Sequence, residues 1–164
     1  MKPVFIIAIV AVAMIGVMVP SVFAEPENAG ALGREHTHAG ILVKIFGDEF
    51  DFSAPAYQIK SQWIHFEERD GSTIHSHATG VELEYLFNSL SIGLDDQCYV
   101  FPDGKSFCTN DEYSLKYFIN GESVSDIREY NIIEDDKILI TFGGETDEQI
   151  QDYLNQLDNQ EIQK

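Results

Sequence analysis

The spacing of apolar and polar residues changes several times along the chain, and each change marks an element. From Val4 to Val19 nearly every residue is apolar (VFIIAIVAVAMIGVMV), and Lys2 is the only charge before Glu25. Pro20 breaks this run, and Val22-Phe23-Ala24 supplies the small residues a signal peptidase reads. A charged start, a short apolar core and a V-x-A exit predict a secretory signal peptide over residues 1–24. The apolar run is shorter than the roughly 20 residues of a spanning helix, so cleavage is expected rather than a retained anchor. In either case the folded part faces outside the cytoplasmic membrane. Residues 25–34 (EPENAGALGR) read as a flexible lead-in.

An α+β domain is expected over residues 35–143. Ile41–Phe46 reads as a strand, Gly47-Asp48 as a turn and Glu49–Phe52 as a return strand. Trp63–Glu67 and Thr73–His77 form a second hairpin. Arg69-Asp70 suits a type I turn, with Gly71 in the left-handed position of a three-residue loop. That loop pairs His65 with His75 and Trp63 with His77, whereas a two-residue loop at Asp70-Gly71 would turn His65 to the other face. Thr79 and Glu82 read as a capping box. The helix it opens carries Val81, Leu83, Leu86, Phe87 and Leu90 at helical spacing, and Gly93 is expected to end it. Cys98–Phe101 and Lys105–Cys108 flank Pro102-Asp103-Gly104, a loop that sets Cys98 opposite Cys108 in a non-hydrogen-bonded pair. Leu115–Ile119 and Glu122–Val124 turn at Asn120-Gly121, and Lys137–Phe142 follows the acidic turn Glu134-Asp135-Asp136. An acidic C-terminal helix is expected within 144–164, capped by Thr146 with Gln149. Its narrow apolar face of Ile150, Tyr153, Leu154 and Leu157 is read as packing on the domain. This order predicts a largely antiparallel sheet of hairpins with one central and one C-terminal helix.

Charge narrows the classes of partner. The chain carries a formal −18 at pH 7, and loss of Lys2 with the leader makes it one more negative. Such a balance argues against nucleic acid and anionic lipid and is compatible with cations. The carboxylates are dispersed, and no D-x-D-x-D-G calcium loop is present. All three methionines, Met1, Met14 and Met18, lie in the leader, so residues 25–164 offer no thioether to Cu(I).

The histidines carry the candidate chemistry. All five fall as His36-Thr-His38, His65 and His75-Ser-His77. Five histidines placed at random give one H-x-H only about 0.15 times. On a strand, residues i and i+2 share a face, so each pair can turn two imidazoles toward one ion. Two pairs on neighbouring strands would make a four-nitrogen site, with His65 a fifth ligand. Neutral imidazole suits Cu(II) and Zn(II), and an oxidising compartment favours Cu(II) over Cu(I). Glu35, Glu67 and Asp70 are near enough in sequence to accept from the ring N–H groups. His75-Ser-His77 with Glu82 also gives H-x-H-x4-E, a fragment of a cupin metal motif, although Glu82 is explained by the capping box.

Cys98 and Cys108 are the only cysteines. In an exported chain they predict one structural disulfide, since a thiol oxidoreductase would use C-x-x-C. No histidine follows either cysteine, which excludes a blue-copper pattern.

The segment from Lys116 to Gly144, with Asn120-Gly121 in its middle and Gly143-Gly144 after the last strand, resembles the end of a β-grasp domain of the sulfur-carrier kind. Gly143-Gly144 is not at the chain end here, so carrier chemistry is not implied. From Glu35 to Gly144 the sequence also resembles a group of small exported archaeal proteins with paired H-x-H motifs. The shared features are His36-x-His38, His75-x-His77, Tyr117–Gly121 and the acidic turn before an Ile/Leu-rich strand. Some members of that group are labelled protein-disulfide-isomerase-like, while this chain lacks C-x-x-C. By analogy with the copper-rich metabolism of ammonia-oxidising archaea, the resemblance implies copper handling.

The first functional expectation is therefore a non-enzymatic extracytoplasmic metal-binding protein with ligands His36, His38, His75 and His77 and auxiliary His65. The others are a metal-dependent enzyme with Glu67 or Asp70 as general base, a module docking a cell-surface protein, and a thiol–disulfide protein.

Overall fold

The structure, a computed structural model, describes residues 25–164, so the expected signal peptide lies outside the described residues. The strands are β1 (Thr37–Ile45), β2 (Asp48–Glu49), β3 (Ile64–His65), β4 (Thr73–Ser76), β5 (Gly93–Leu94), β6 (Cys98–Val100), β7 (Ser106–Cys108), β8 (Ser114–Ile119), β9 (Glu122–Val124) and β10 (Asp136–Gly143). The helices are α1 (Leu83–Ser89) and α2 (Asp147–Asp158). A seven-stranded sheet has the order β3-β4-β1-β10-β8-β9, with β2 also paired to β1. The small sheet β5-β6-β7 stands apart. The fold is thus α+β and mostly antiparallel, as expected, with one parallel pair, β1 with β10, at its centre.

Alternation along β1 divides the molecule. Ala39, Ile41 and Val43 face a core that α1 closes through Leu83, Leu86 and Phe87. On the other face, Leu42 packs with Leu139, Phe118 and Leu157 beneath α2. The C-terminal tail continues along this outer face. Gln160 donates to the Ile41 and Ser72 carbonyls, and the Gln163 N–H donates to Thr73 Oγ1. His38, two residues before Gly40 on β1, belongs to this outer face, at the end that α2 leaves uncovered. Among the described residues no helix is long and apolar enough to cross a membrane.

Several local expectations need correction. The first turn lies at Phe46-Gly47, both at positive φ, and the return strand is only Asp48–Glu49. In the second hairpin, Glu68 and Arg69 take the left-handed conformation, and the Asp70 N–H donates to the Glu67 carbonyl. Gly71 is glycine for another reason: a Cβ there would collide with the backbone of Phe52 and Ser53. The His65–His75 register nevertheless holds, and the His77 N–H donates to the Trp63 carbonyl.

The Thr79–Glu82 capping box does not form; α1 begins at Leu83 with Glu82 as an N-cap that makes no side-chain bond to the helix. The Tyr130 and Arg128 carbonyls accept from the Leu83 and Glu84 N–H groups, so the helix start is satisfied by a neighbouring loop. Ser91, not Gly93, ends the helix. It has φ 59°, its N–H donates to Asn88 O and that of Ile92 to Phe87 O. Gly93 instead enters β5 opposite Val100.

Other expectations are met. Cys98 pairs with Cys108 across β6–β7 and is disulfide-bonded to it, with Cα atoms 4.1 Å apart. Asn120-Gly121 forms the β8–β9 turn, with both residues at positive φ. Thr146 and Gln149 make a complete capping box for α2. Residues 25–34, by contrast, read as a flexible lead-in but are hydrogen-bonded to the turn after β4, where the Gly30 and Gly33 N–H groups donate to the Thr79 and His77 carbonyls.

Candidate metal centre

The ladder between β1 and β4 sets His38 opposite His75, and the ladder between β4 and β3 sets His75 opposite His65. Three imidazoles therefore form one row across three strands, on one face of the sheet. His36 and His77 add a second row. Their ring centroids are 4.7 Å apart, and those of His65 and His77 are 4.9 Å apart. The His38 ring lies 4.8 Å from His36 and 4.9 Å from His75. All five histidines named from the sequence are thus brought together. His38, His65 and His75 are buried, His77 is half-buried and His36 is exposed.

Two sets of potential ligands emerge: His36, His38 and His75, and His65, Glu67 and His77. In each set, one ligand atom per residue lies within 4.8 Å of the others. In the first set, the carboxylate of Glu134 holds His38. Its Oε2 accepts from the His38 backbone N–H at 2.9 Å and lies 3.3 Å from ring Nδ1. A carboxylate there favours the proton on Nδ1 and leaves Nε2 as a lone pair. That Nε2 and His75 Nδ1 are buried and have no hydrogen-bond partner among the described residues. His75 Nδ1 lies 3.4 Å from Glu67 Oε1, close enough for charge attraction but outside hydrogen-bond geometry.

In the second set, His65 Nδ1 donates to the Ser61 carbonyl at 2.7 Å, because a carbonyl can only accept. Its Nε2 faces Glu67 Oε2 at 3.1 Å.

Electrostatics keep the site ready for a cation. Burial lowers the pKa of His75 to about 4; Glu67 opposes the shift, and His38, His65 and His36 add to it. His77 is lowered as well, again chiefly by burial. Both rings are therefore neutral at pH 7, the form that ligates metals. Glu67 is held below the usual carboxylate range, first by its hydrogen bond with His65. It stays ionised and is a poor general base near neutrality.

Of the three acids named from the sequence, only Glu67 meets the histidines. Asp70 Oδ1 accepts from the Ser72 N–H and hydroxyl, within its own turn. Glu35 makes no hydrogen bond or ion pair to a histidine among the described residues. Glu82 joins neither ligand set, so the cupin-like spacing has no counterpart in space. Sequence reasoning missed Glu134 and Ser61. Glu134 reaches His38 because β1 and β10 pair in parallel, with Ala39 opposite Asp136. Lys164 in turn binds Glu134 at 2.8 Å and Asp135 at 2.8 Å.

No family model matches the chain, and neither a curated protein nor a solved structure matches it. The site is therefore read on its own chemistry. A face of five imidazoles and one carboxylate offers the ligand types of late first-row divalent ions. The disulfide fits a non-reducing, extracytoplasmic environment.

Proposed function

We propose that this is an exported metal-binding protein that handles Cu(II) or Zn(II) through His36, His38, His75 and His77, with His65 beside them. The observation that carries this reading is the pair of buried, unpartnered ring nitrogens, His38 Nε2 and His75 Nδ1, in a cluster of imidazoles. A buried polar atom left without a partner costs about 1–3 kcal/mol. A bound ion would turn that cost into coordination. Copper is favoured among divalent ions by imidazole ligands, and a disulfide-permissive compartment favours its oxidised state. The apolar run at Val4–Val19 and the V-x-A exit support secretion by a cleaved signal. The central parallel pair β1–β10, flanked by β4 and β8, supports a β-grasp-like arrangement. Paired H-x-H motifs support kinship with the exported archaeal group.

The test is the double substitution His75→Ala/His77→Ala, titrated with Cu(II) against a chromophoric competitor. Tight binding is expected to vanish while the far-UV circular dichroism of the metal-free protein is kept. Wild-type affinity in the double variant would overturn the assignment.

A further inference from the structure

We propose that this face takes two divalent ions bridged by the Glu67 carboxylate, one held with His36, His38 and His75 and the other with His65 and His77. The inference rests on the metal-binding reading above and deepens it, adding stoichiometry and a non-histidine ligand.

Glu67 reaches both sets. Its Oε2 lies 3.1 Å from His65 Nε2, and its Oε1 lies 3.4 Å from His75 Nδ1. Two donors on one ion, each at about 2.1 Å and subtending 90–110°, sit about 3.0–3.4 Å apart. Both separations fall in that window, so each oxygen is placed as the neighbour of a different imidazole on a different ion.

In the second set the Ser61 carbonyl accepts from His65 Nδ1 and fixes the ring, so that Nε2 is directed at Glu67 Oε2. Glu134 orients His38 in the same way.

Ligand count points the same way. A structural zinc site uses four ligands, and five imidazoles plus a carboxylate exceed that number. Divided between two ions with Glu67 shared, they give four ligands to the first and three to the second, which leaves the open position on the second ion, beside half-buried His77. The chain's strong negative charge lowers the cost of gathering two dications there.

The test is a count and a spectrum. The oxidised protein is titrated with Cu(II), desalted and assayed for metal per chain, then examined by electron paramagnetic resonance. Two tightly held ions are expected, with the signature of a coupled pair: a half-field transition or intensity lost to spin pairing. In Glu67→Gln one tight ion is expected, with the spectrum of isolated Cu(II). One tight ion per wild-type chain would overturn the bridged pair and leave the metal-binding reading standing. No tight ion would overturn both. A coupled pair retained in Glu67→Gln would overturn the bridging role. Should that variant fail to fold, the wild-type count and spectrum still decide.

Discussion

Replacing Glu134 by glutamine tests whether the histidine face is organised for an ion or merely assembled by the sheet. Glu134 accepts from the His38 backbone N–H at 2.9 Å and faces its Nδ1 at 3.3 Å. The carboxylate fixes the ring orientation and the tautomer that leaves the Nε2 lone pair for a metal. Glutamine keeps an acceptor oxygen for the backbone but removes the charge. Loss of such a partner lowers metal affinity by about 10–100-fold, which is about 1.4–2.8 kcal/mol. Folding should suffer much less. The Glu134 side chain is 45% exposed, and its ion pair with Lys164 is solvated, so the loss of stability should stay below about 1 kcal/mol. Competition titration with Cu(II), paired with urea unfolding of the metal-free protein, separates the two quantities. Unchanged Cu(II) affinity in Glu134→Gln, or a fall in affinity matched by an equal loss of stability, would mean that Glu134 does not organise His38 for an ion.

Acid should destabilise the metal-free protein. The folded-state pKa of His75 is lowered to about 4, below its ordinary 6.5. The unfolded chain thus binds more protons between those values, and stability present above pH 6.5 is lost as pH falls toward 4. Urea midpoints measured from pH 7.5 to 4.5 should fall over that window, and His75→Gln should flatten the dependence. Opening the eleven-residue Cys98–Cys108 loop with a double serine variant should remove about 3 kcal/mol in the chain-entropy model. Cu(II) affinity should not change, because the β5-β6-β7 sheet is separate from the histidine face; a matched loss of affinity would contradict that separation. Leu157→Ala should cost about 2–5 kcal/mol, since Leu157 is fully buried against Leu42, Phe118 and Leu139; unfolding midpoints within error of wild type would contradict this packing.

What the sequence revealed was mostly local. The Pro102-Asp103-Gly104 loop set the Cys98–Cys108 pairing, Asn120-Gly121 set the β8–β9 turn, and Thr146 with Gln149 marked the start of α2. The His65–His75 register follows from the length of the connection, although the turn itself is made by Glu68 and Arg69. Glu68 and Arg69 adopt positive φ against their intrinsic preference, while Gly71 is the residue that close packing on Phe52 and Ser53 requires. Long-range contributions were hidden. Glu134 meets His38 across 96 positions through a parallel ladder, and alternation within one strand says nothing about which strand lies beside it. The start of α1 is not legible locally because its first N–H groups bond to the carbonyls of Arg128 and Tyr130, far along the chain. Paired H-x-H spacing named all five histidines, but the two sets they form depend on strand order, which that spacing does not carry.

A metal site built by the fold should bind only while the chain is folded, so the deciding quantity is the Cu(II) and Zn(II) affinity of the oxidised protein, measured by competition titration under native conditions and again in denaturant. Submicromolar or tighter binding of at least one ion per folded chain is expected, lost on unfolding. Binding no tighter than that of an unstructured histidine peptide, and unchanged by denaturant, would contradict it.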